Sequence, residues 1–215
     1  MQYINQSLVS EIRQKFCNVN TCPISGDRIF FENAGGALTL KSALETTTKF
    51  ASIPDNQGRD NAASKALNDV IKNAKSDLSA LFNTQSGEFF MGESGTELLF
   101  RLIRNAVLAS PSGGSIVGTS LEHPASRSAA KKWSNEMEYT YLSVPHCVKT
   151  GTVDPKNYAS KISDTTRVVT IVHASPVTGM GTKIKEISKI VRQKAPLAFI
   201  IVDGIQHAAH GGIDI

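Results

Sequence analysis

The sequence has few cysteines and no long apolar run. Its three cysteines, Cys17, Cys22 and Cys147, are an odd number at spacings that fit neither a C-x-x-C redox motif nor a zinc-ligand pattern. We therefore expect free thiols, as in a reducing compartment. No stretch approaches the length of a membrane-spanning helix. Residues 1–16 lack the apolar centre of a signal peptide and predict a short amphipathic helix, so we expect a cytoplasmic protein without a membrane partner.

Concentrated positive charge is also missing. The formal net charge is +4 at pH 7, and Lys131 and Lys132 form the only adjacent basic pair. This scatter argues against a nucleic-acid-binding face, so no nucleic-acid partner is expected. Hydrophobic residues make up 40% of the chain and charged residues 20%, which is enough apolar material for a core and excludes wholesale disorder.

Helix-like and strand-like patterns alternate along most of the chain. Residues 1–27 are predicted to form an N-terminal arm, and residues 28–215 an incomplete large domain. The predicted strands are 28–31, 88–91, 115–119, 138–144, 167–173 and 197–202. The predicted helices are 61–82, 96–108, 124–135, 155–162 and 184–193. This alternation predicts an α/β fold with a mostly parallel sheet and helices on both faces, and the apolar runs VVTIV and LAFIIV predict strands buried on both sides.

Ligands of such sheets bind outside the carboxyl ends of the strands. The segment 92–97 follows one predicted strand and opens a helix, so its backbone amides and the positive end of the helix dipole form a candidate phosphate cradle. Gly95 permits close approach, while Ser94 and Thr96 add hydroxyl groups. An ordinary helix cap made by Ser94 or Thr96 explains the same residues without a ligand.

Two further candidates follow other predicted strands. His123 could stack on a planar ring or transfer a proton, or it could be a surface histidine beside the helix-starting Pro124. Asp203 ends an apolar strand, where a carboxylate is costly unless it is paired. A protonated ring nitrogen of a cofactor would be a suitable partner, and a helix N-cap is the alternative role.

Two other kinds of site remain open. Ser94 lies in a near match to the G-x-S-x-G motif of hydrolases, and Asp203 with His207 or His210 would complete a triad in the expected chain order. His207 and His210, with Asp214 nearby, could instead ligate a metal ion, although a pair of loop histidines is the simpler explanation.

Five segments together resemble a known family. They are FFENAGGALTLKSALE, GESGTE, LEHPAS, VVTIVHASPVTGMGTKIKEI and IIVDGIQHAAHGGIDI. In this order they resemble the fold-type I pyridoxal 5'-phosphate (PLP) enzymes of the class V aminotransferase group, most of all cysteine desulfurases, over residues 28–215. The resemblance implies a truncated PLP-dependent transferase large domain, PLP as the cofactor, a small amino-acid substrate and a homodimer. Desulfuration, transamination, epimerisation and lyase chemistry all remain open.

The resemblance also implies a role for each candidate residue. The amides of Gly95 and Thr96 would hold the cofactor phosphate. His123 would stack on the ring and assist proton transfer, Asp203 would pair with the ring nitrogen, and Gln206 would reach the ring hydroxyl. The implied cofactor-binding residues are Ser94, Gly95, Thr96, His123, Asp203 and Gln206, and the implied catalytic residues are His123 and Asp203.

The sequence departs from the family pattern in three places. Pro176 stands where many desulfurases have asparagine, so that contact is lost or replaced by Ser175. Pro124 replaces a frequent histidine or lysine. The Schiff-base lysine of the family lies beyond the Asp-x-x-Gln segment, and the sequence ends at Ile215 before that point. The lysines that precede Asp203 do not match it; they are Lys183, Lys185, Lys189 and Lys194.

The missing lysine leads to an expectation about activity. The family's catalytic cysteine and the arginine that binds the substrate carboxylate also belong to the missing part, so none of the three cysteines is expected to carry sulfur. We therefore expect a fragment of a longer reading frame that binds PLP weakly or without a covalent bond. A non-catalytic remnant or interaction module of the same fold is the alternative.

Overall fold

The computed structural model describes residues 5–54 and 58–215. The chain divides into two compact units, Met1–Gln85 and Ser86–Ile215. The predicted division into an arm of residues 1–27 and a domain of residues 28–215 stays a prediction. All three cysteines are free thiols. Within the described residues, no helix has both the length and the apolar character needed to cross a membrane.

The described part of the first unit contains three helices and a short pair of strands. They are α1 (Gln6–Gln14), β1 (Thr21–Cys22), β2 (Gly26–Asp27), α2 (Lys41–Ala51) and α3 (Ala62–Leu81). Helix α1 confirms the predicted amphipathic helix, and the Asn5 side chain caps it by accepting a hydrogen bond from the Ser7 amide at 2.9 Å. Residues 1–4 of that prediction lie outside the described residues. Helix α3 confirms the predicted helix 61–82.

The predicted strand 28–31 is wrong. The strand pair of this unit is β1 with β2, and it ends one residue earlier. Ile29 and Phe31, two apolar residues of this segment, are 85% and 90% exposed. Apolar residues form a strand only where a neighbouring strand completes the hydrogen-bond ladder, and this segment is paired with none of the described strands.

The second unit carries the predicted α/β architecture. Its elements are α4 (Gly95–Leu108), β3 (Ser115–Thr119), α5 (Pro124–Glu136), β4 (Thr140–Val144), α6 (Pro155–Ala159), β5 (Thr166–Val172), α7 (Ile184–Lys194), β6 (Phe199–Asp203) and a 3₁₀ turn (His207–Ala209). The four strands are all parallel and lie in the order β4-β3-β5-β6. The α/β class and the parallel sheet are therefore confirmed.

Helices cover both faces of this sheet. On one face, Ile103 of α4 and Ala129 of α5 pack in a cluster with Val168 of β5. On the other face, Ile187 of α7 packs in a cluster with Val169, the next residue of the same strand. Successive side chains of a strand point to opposite faces, so α4 and α5 lie opposite α7, and the prediction of helices on both faces is confirmed.

One prediction for this unit is wrong, and another is wrong in part. The segment 88–91 is not a strand, and Phe90 and Met91 are mostly exposed, since no described strand pairs with it. β5 is buried along nearly its whole length, as predicted. β6 is only partly buried, with Phe199 and Val202 about two-fifths exposed (43% and 40%), because it lies at the edge of the described sheet.

The strand order places a switch point between β3 and β5. From β3 the chain crosses through α5 to β4 on one side, and it then returns past β3 to β5 on the other side. In such sheets the connections leave the two central strands in opposite directions, and a crevice opens at their carboxyl ends. The ladder between β3 and β5 has its last pair at Val117 and Val169, whereas β3 stays paired with β4 as far as Thr119.

Candidate functional site

The amino end of α4 has two available amides. The Ser94 side chain accepts a hydrogen bond from the Glu97 amide at 3.1 Å, so Ser94 is an N-cap. The amides of Gly95 and Thr96 make no hydrogen bond to another described residue. Two free donors at the positive end of a 14-residue helix suit an anionic group. The N-cap role of Ser94 is thus compatible with an anion bound by the amides of Gly95 and Thr96.

Gly95 is held against the loop that follows β6. A Cβ atom built on Gly95 would lie 2.9 Å from Ile205 Cδ1 and 3.3 Å from Ile205 Cγ1. A larger residue at position 95 would require the Ile205 side chain, which is 62% exposed, to shift. The absence of a side chain therefore brings the amino end of α4 close to the carboxyl end of β6.

Asp203 is a buried carboxylate without a positive partner. It is 8% exposed and ends β6. Its Oδ1 accepts a hydrogen bond from the Ile205 amide at 3.2 Å, and its backbone oxygen accepts one from the His173 amide at 2.8 Å. No cation pairs with it among the described residues. A buried carboxylate is stabilised by a charged donor, and a protonated ring nitrogen provides one.

His123 presents one ring nitrogen to its own helix. It is the N-cap of α5, and its Nδ1 accepts a hydrogen bond from the Ala125 amide at 3.2 Å. An accepting Nδ1 carries no proton, so Nε2 is the nitrogen that holds the proton of the neutral ring. The residue is exposed, which leaves the ring faces and Nε2 accessible to a ligand.

Glu122, the neighbour of His123, is a site residue that the motif analysis did not select. It is 3% exposed. Burial raises the pKa of its carboxyl to about 7; the hydrogen bonds from Val172, Ser126 and Thr119 oppose this shift, and the charge of Asp203 adds to it. The signal available in the sequence was a charged residue three positions after the predicted strand 115–119.

Two histidine rings stack beside the carboxyl ends of β5 and β6. The centroids of His173 and His207 are 3.5 Å apart, with 23° between the ring planes. Burial, and to a lesser extent the charge of His207, lowers the pKa of His173. Gln206 precedes His207 and is half-buried. His173 ends a predicted strand, so its place at a strand end could be predicted from the sequence. Its stacking on His207 could not.

Ser175 is committed to its own turn. It is 2% exposed, and its Oγ accepts hydrogen bonds from the amides of Val177 at 3.2 Å and Thr178 at 3.3 Å. The oxygen of this hydroxyl therefore shapes the loop after β5. Its predicted replacement of the family asparagine stays a prediction.

The two other kinds of site lack their defining contacts. No hydrogen bond joins Ser94 or Asp203 to the side chain of His207 or His210 in the described part of the chain. His207 instead stacks on His173. Within residues 5–54 and 58–215, no three His, Cys, Asp or Glu side chains form a group that could hold a metal ion.

The predicted site residues all lie in the second unit. Ser94, Gly95 and Thr96 are at the amino end of α4, His123 follows β3, and Asp203 and Gln206 follow β6. The contact between Gly95 and Ile205 joins the first group to the last. A parallel α/β sheet with an anion-binding helix end and a buried carboxylate defines a domain suited to a phosphorylated cofactor with a basic ring nitrogen.

Comparison with known proteins gives the family. The sequence profile of the family described as "Aminotransferase class-V" matches residues 29–215, and this chain belongs to that family. The chain is 30% identical over 199 residues to a cysteine desulfurase-like protein of Aspergillus flavus, which covers 89% of this chain and 45% of that protein. It is 31% identical over 141 residues to a cysteine desulfurase of Nostoc sp., covering 65% of this chain and 34% of that one.

Solved structures share the fold. The apo cysteine desulfurase of Thermococcus onnurineus superposes with a TM-score of 0.81 at 18% identity, over 95% of this chain and 49% of that chain. A variant of the enzyme C-DES, with glycine covalently linked to its PLP cofactor, superposes with a TM-score of 0.75 at 20% identity, over 94% of this chain and 51% of that chain. The predicted family, fold class and family cofactor are thus confirmed, and the chain spans about half the length, or less, of these relatives.

Proposed function

We propose that this chain forms the cofactor-binding part of a PLP enzyme of the class V aminotransferase type, most like a cysteine desulfurase. The observation that carries the proposal is Asp203, a buried carboxylate at the end of β6 that has no cationic partner among the residues the structure describes. It lies in the same unit as the free amides of Gly95 and Thr96. The Asp203 carboxylate needs a cationic partner, and the two amides need an anion. PLP offers both, as a protonated ring nitrogen and a phosphate group.

The residues present fit the two ends of the cofactor. The amides of Gly95 and Thr96 would donate to the phosphate, with the Thr96 hydroxyl at hand. The Asp203 carboxylate would accept from the ring nitrogen and keep it protonated. When bound, PLP supplies an electron-withdrawing ring that stabilises negative charge on the α-carbon of an amino acid. Gln206 would serve the ring hydroxyl, from its position three residues after Asp203.

His123 would cover the ring and handle a proton. Its Nδ1 is engaged by the Ala125 amide, which fixes the ring plane relative to α5. The remaining nitrogen, Nε2, is therefore the atom that would give or take a proton at the face of the cofactor.

The substrate and assembly are extrapolated from relatives. Several of them are named cysteine desulfurases, and we propose a small amino acid as the substrate and a homodimer as the assembly. The covalent lysine of the family follows the Asp-x-x-Gln segment, whereas Lys185, Lys189 and Lys194 precede Asp203 on α7, so we propose that none of these three binds the cofactor covalently. Light scattering of the purified protein over a range of concentrations tests the dimer.

Titration of the full chain tests the cofactor site. PLP and pyridoxal, which lacks the phosphate, are titrated separately while the fluorescence of the single tryptophan and the absorbance of the ligand are followed. We expect pyridoxal to bind at least about tenfold more weakly than PLP, since the charge-assisted bonds to the phosphate contribute about 1.5–3 kcal/mol each.

A pair of variants tests the ring end of the site. D203N should weaken PLP binding about tenfold or more, because it removes the charge that pairs with the ring nitrogen. D164N makes the same chemical change at an exposed position and should bind like the wild type. Equal affinities for PLP and pyridoxal, or unaltered binding by D203N, would refute the proposed function.

A further inference from the structure

The carboxyl ends of β3 and β5 are bridged by a side chain rather than by the sheet ladder. The last ladder pair of these strands is Val117 with Val169. Three residues further along β5, the Val172 amide donates to Glu122 Oε1 at 3.0 Å. Glu122 lies in the loop that leaves β3. The carboxylate thus takes the place of a strand carbonyl where the two strands separate.

The Glu122 side chain is buried, and both of its oxygens accept hydrogen bonds. Glu122 Oε1 also accepts from Thr119 Oγ1 at 3.1 Å, and Oε2 accepts from Ser126 Oγ at 3.0 Å. Thr119 is 1% exposed and Ser126 is 0% exposed. Both carboxylate oxygens therefore have donors, from the end of β3, from α5 and from β5. A buried carboxylate held by three donors fixes the separation of the elements that supply them.

The two residues beside this bridge are those assigned to the face and to the nitrogen of the cofactor ring. His123 follows Glu122 directly in the chain. Val172 is the register partner of Asp203 in the ladder between β5 and β6, and the Asp203 carbonyl accepts from the amide of the residue after Val172. Glu122 therefore ties the backbone that carries His123 to the strand pair that carries Asp203.

We propose that Glu122 is a positioning residue whose carboxylate sets the distance between His123 and Asp203 across the switch point. This proposal rests on the proposed function, because it assigns the bridge to a site that holds PLP. The property required of residue 122 is a side chain long enough for one oxygen, Oε1, to accept from both Val172 and Thr119, rather than negative charge as such.

Three substitutions separate reach from charge. E122Q keeps the length of the side chain; its Oε1 still accepts from Thr119 and Val172, and its amide nitrogen donates to Ser126 Oγ. E122D keeps the charge but is one methylene shorter, and E122A removes the bridge. S115A is the matched control, since Ser115 Oγ bonds Thr166 Oγ1 at 3.0 Å in a buried link between the same two strands at their amino ends.

Two readouts are taken on the full chain. Hydrogen exchange followed by NMR measures how well the Val172 amide is protected. PLP titration measures the affinity of the site, and the visible circular dichroism of bound PLP shows how firmly the ring is held. In E122A and E122D we expect the Val172 amide to exchange about tenfold faster and PLP to bind about tenfold more weakly, the change that follows from loss of one such bond. E122Q and S115A should match the wild type in both.

Each outcome decides between roles. If E122A and E122D expose Val172 yet bind PLP as the wild type does, Glu122 supports the fold alone and the positioning role is refuted. If E122Q behaves like E122A, charge rather than reach is needed, and the proposal is again wrong. If the wild type itself fails to bind PLP while E122D still speeds exchange of the Val172 amide, the proposed function is wrong, but the structural link between Glu122 and Val172 is confirmed. Should E122A not fold, E122D and S126A, which removes one of the three donors, carry the same comparison.

Discussion

Ile205 packs on the backbone of Gly95, and this contact closes the gap between the loop after β6 and the first turn of α4. A Cβ atom at position 95 would come within 2.9 Å of Ile205 Cδ1, which is closer than nonbonded carbon atoms pack. The glycine therefore serves two needs at once: it admits the isoleucine, and it leaves its amide open to an anion.

Substitution of Gly95 by alanine should weaken PLP binding with little loss of stability. The added Cβ meets only the end of the Ile205 side chain, which is 62% exposed and can turn aside at little cost, but its displacement beside the amides that face the phosphate would hinder the ligand. The double variant G95A/I205A removes the contact and should recover most of the binding. Urea denaturation and PLP titration measure the two properties. G212A is the control, because a Cβ at Gly212 meets nothing within 4 Å; equal PLP binding by G95A and G212A would contradict the prediction.

The raised pKa of Glu122 predicts a pH-dependent stability. With a pKa of about 7 in the folded chain against an ordinary 4.5, the folded chain keeps a proton that the unfolded chain has already lost between these values. The free energy of unfolding should therefore fall as pH rises from about 4.5 to about 7, by roughly 3 kcal/mol for this group. Below pH about 4.5 the Glu122 carboxyl makes its full contribution to the free energy of unfolding, and above pH about 7 none of this contribution remains.

E122Q isolates this contribution from other titrations. The glutamine has no proton to lose, so the wild type should be more stable relative to E122Q below the window than above it. Urea denaturation of both proteins across the window measures the difference. A difference that stays constant with pH would mean that the Glu122 carboxyl titrates normally.

Cys22 should be unusually reactive near neutral pH. The hydroxyl of Ser25, together with the backbone amides of Ile24 and Ser25, lowers the pKa of the Cys22 thiol from 9.0 to about 7. In a protein with Cys17 and Cys147 replaced by serine, the rate of alkylation by iodoacetamide should reach half its maximum near that pH. S25A should move the midpoint upward. A midpoint that S25A leaves unchanged would exclude the Ser25 hydroxyl as the cause.

Borohydride reduction of the protein from its natural source tests the covalent lysine. We expect a reduced PLP adduct on a protein heavier than the 23.1 kDa of this chain, because the family lysine lies beyond the segment that contains Asp203 and Gln206. Intact-mass spectrometry gives the mass of the modified protein, and peptide mass spectrometry identifies the lysine that carries the adduct. An adduct on Lys183 or another lysine of this sequence would contradict the assignment.

The parts of the fold that depend on local pattern were predictable. β3 is residues 115–119 in the prediction and in the structure, since its apolar run is short and bounded by glycines and a loop. Helix α2 was not predicted, because Thr46, Thr47 and Thr48 form a β-branched run of low helix propensity. The wrong strand at 88–91 had the right residues but no neighbouring strand, and pairing is not a local property.

Candidate site residues could be selected from the sequence where a polar residue follows a predicted strand, and not where a role depends on strand order. Ser94, His123 and Asp203 were selected because each follows a predicted strand, although the strand predicted at 88–91 before Ser94 is absent, and their roles stay predictions. Glu122 was missed because its meaning depends on Val172, fifty residues away. Only the order that places β3 beside β5 brings these two together, and several orders are compatible with the same sequence pattern.

The exposed edge of β6 has a consequence for handling the protein. Among the described strands β6 pairs with β5 alone, and its side chains are only half covered. A strand edge of this kind is a template on which another polypeptide can add a strand. Recovery after refolding will therefore depend on protein concentration, with losses to aggregation that dilution reduces and that further stabilisation of the core leaves unchanged.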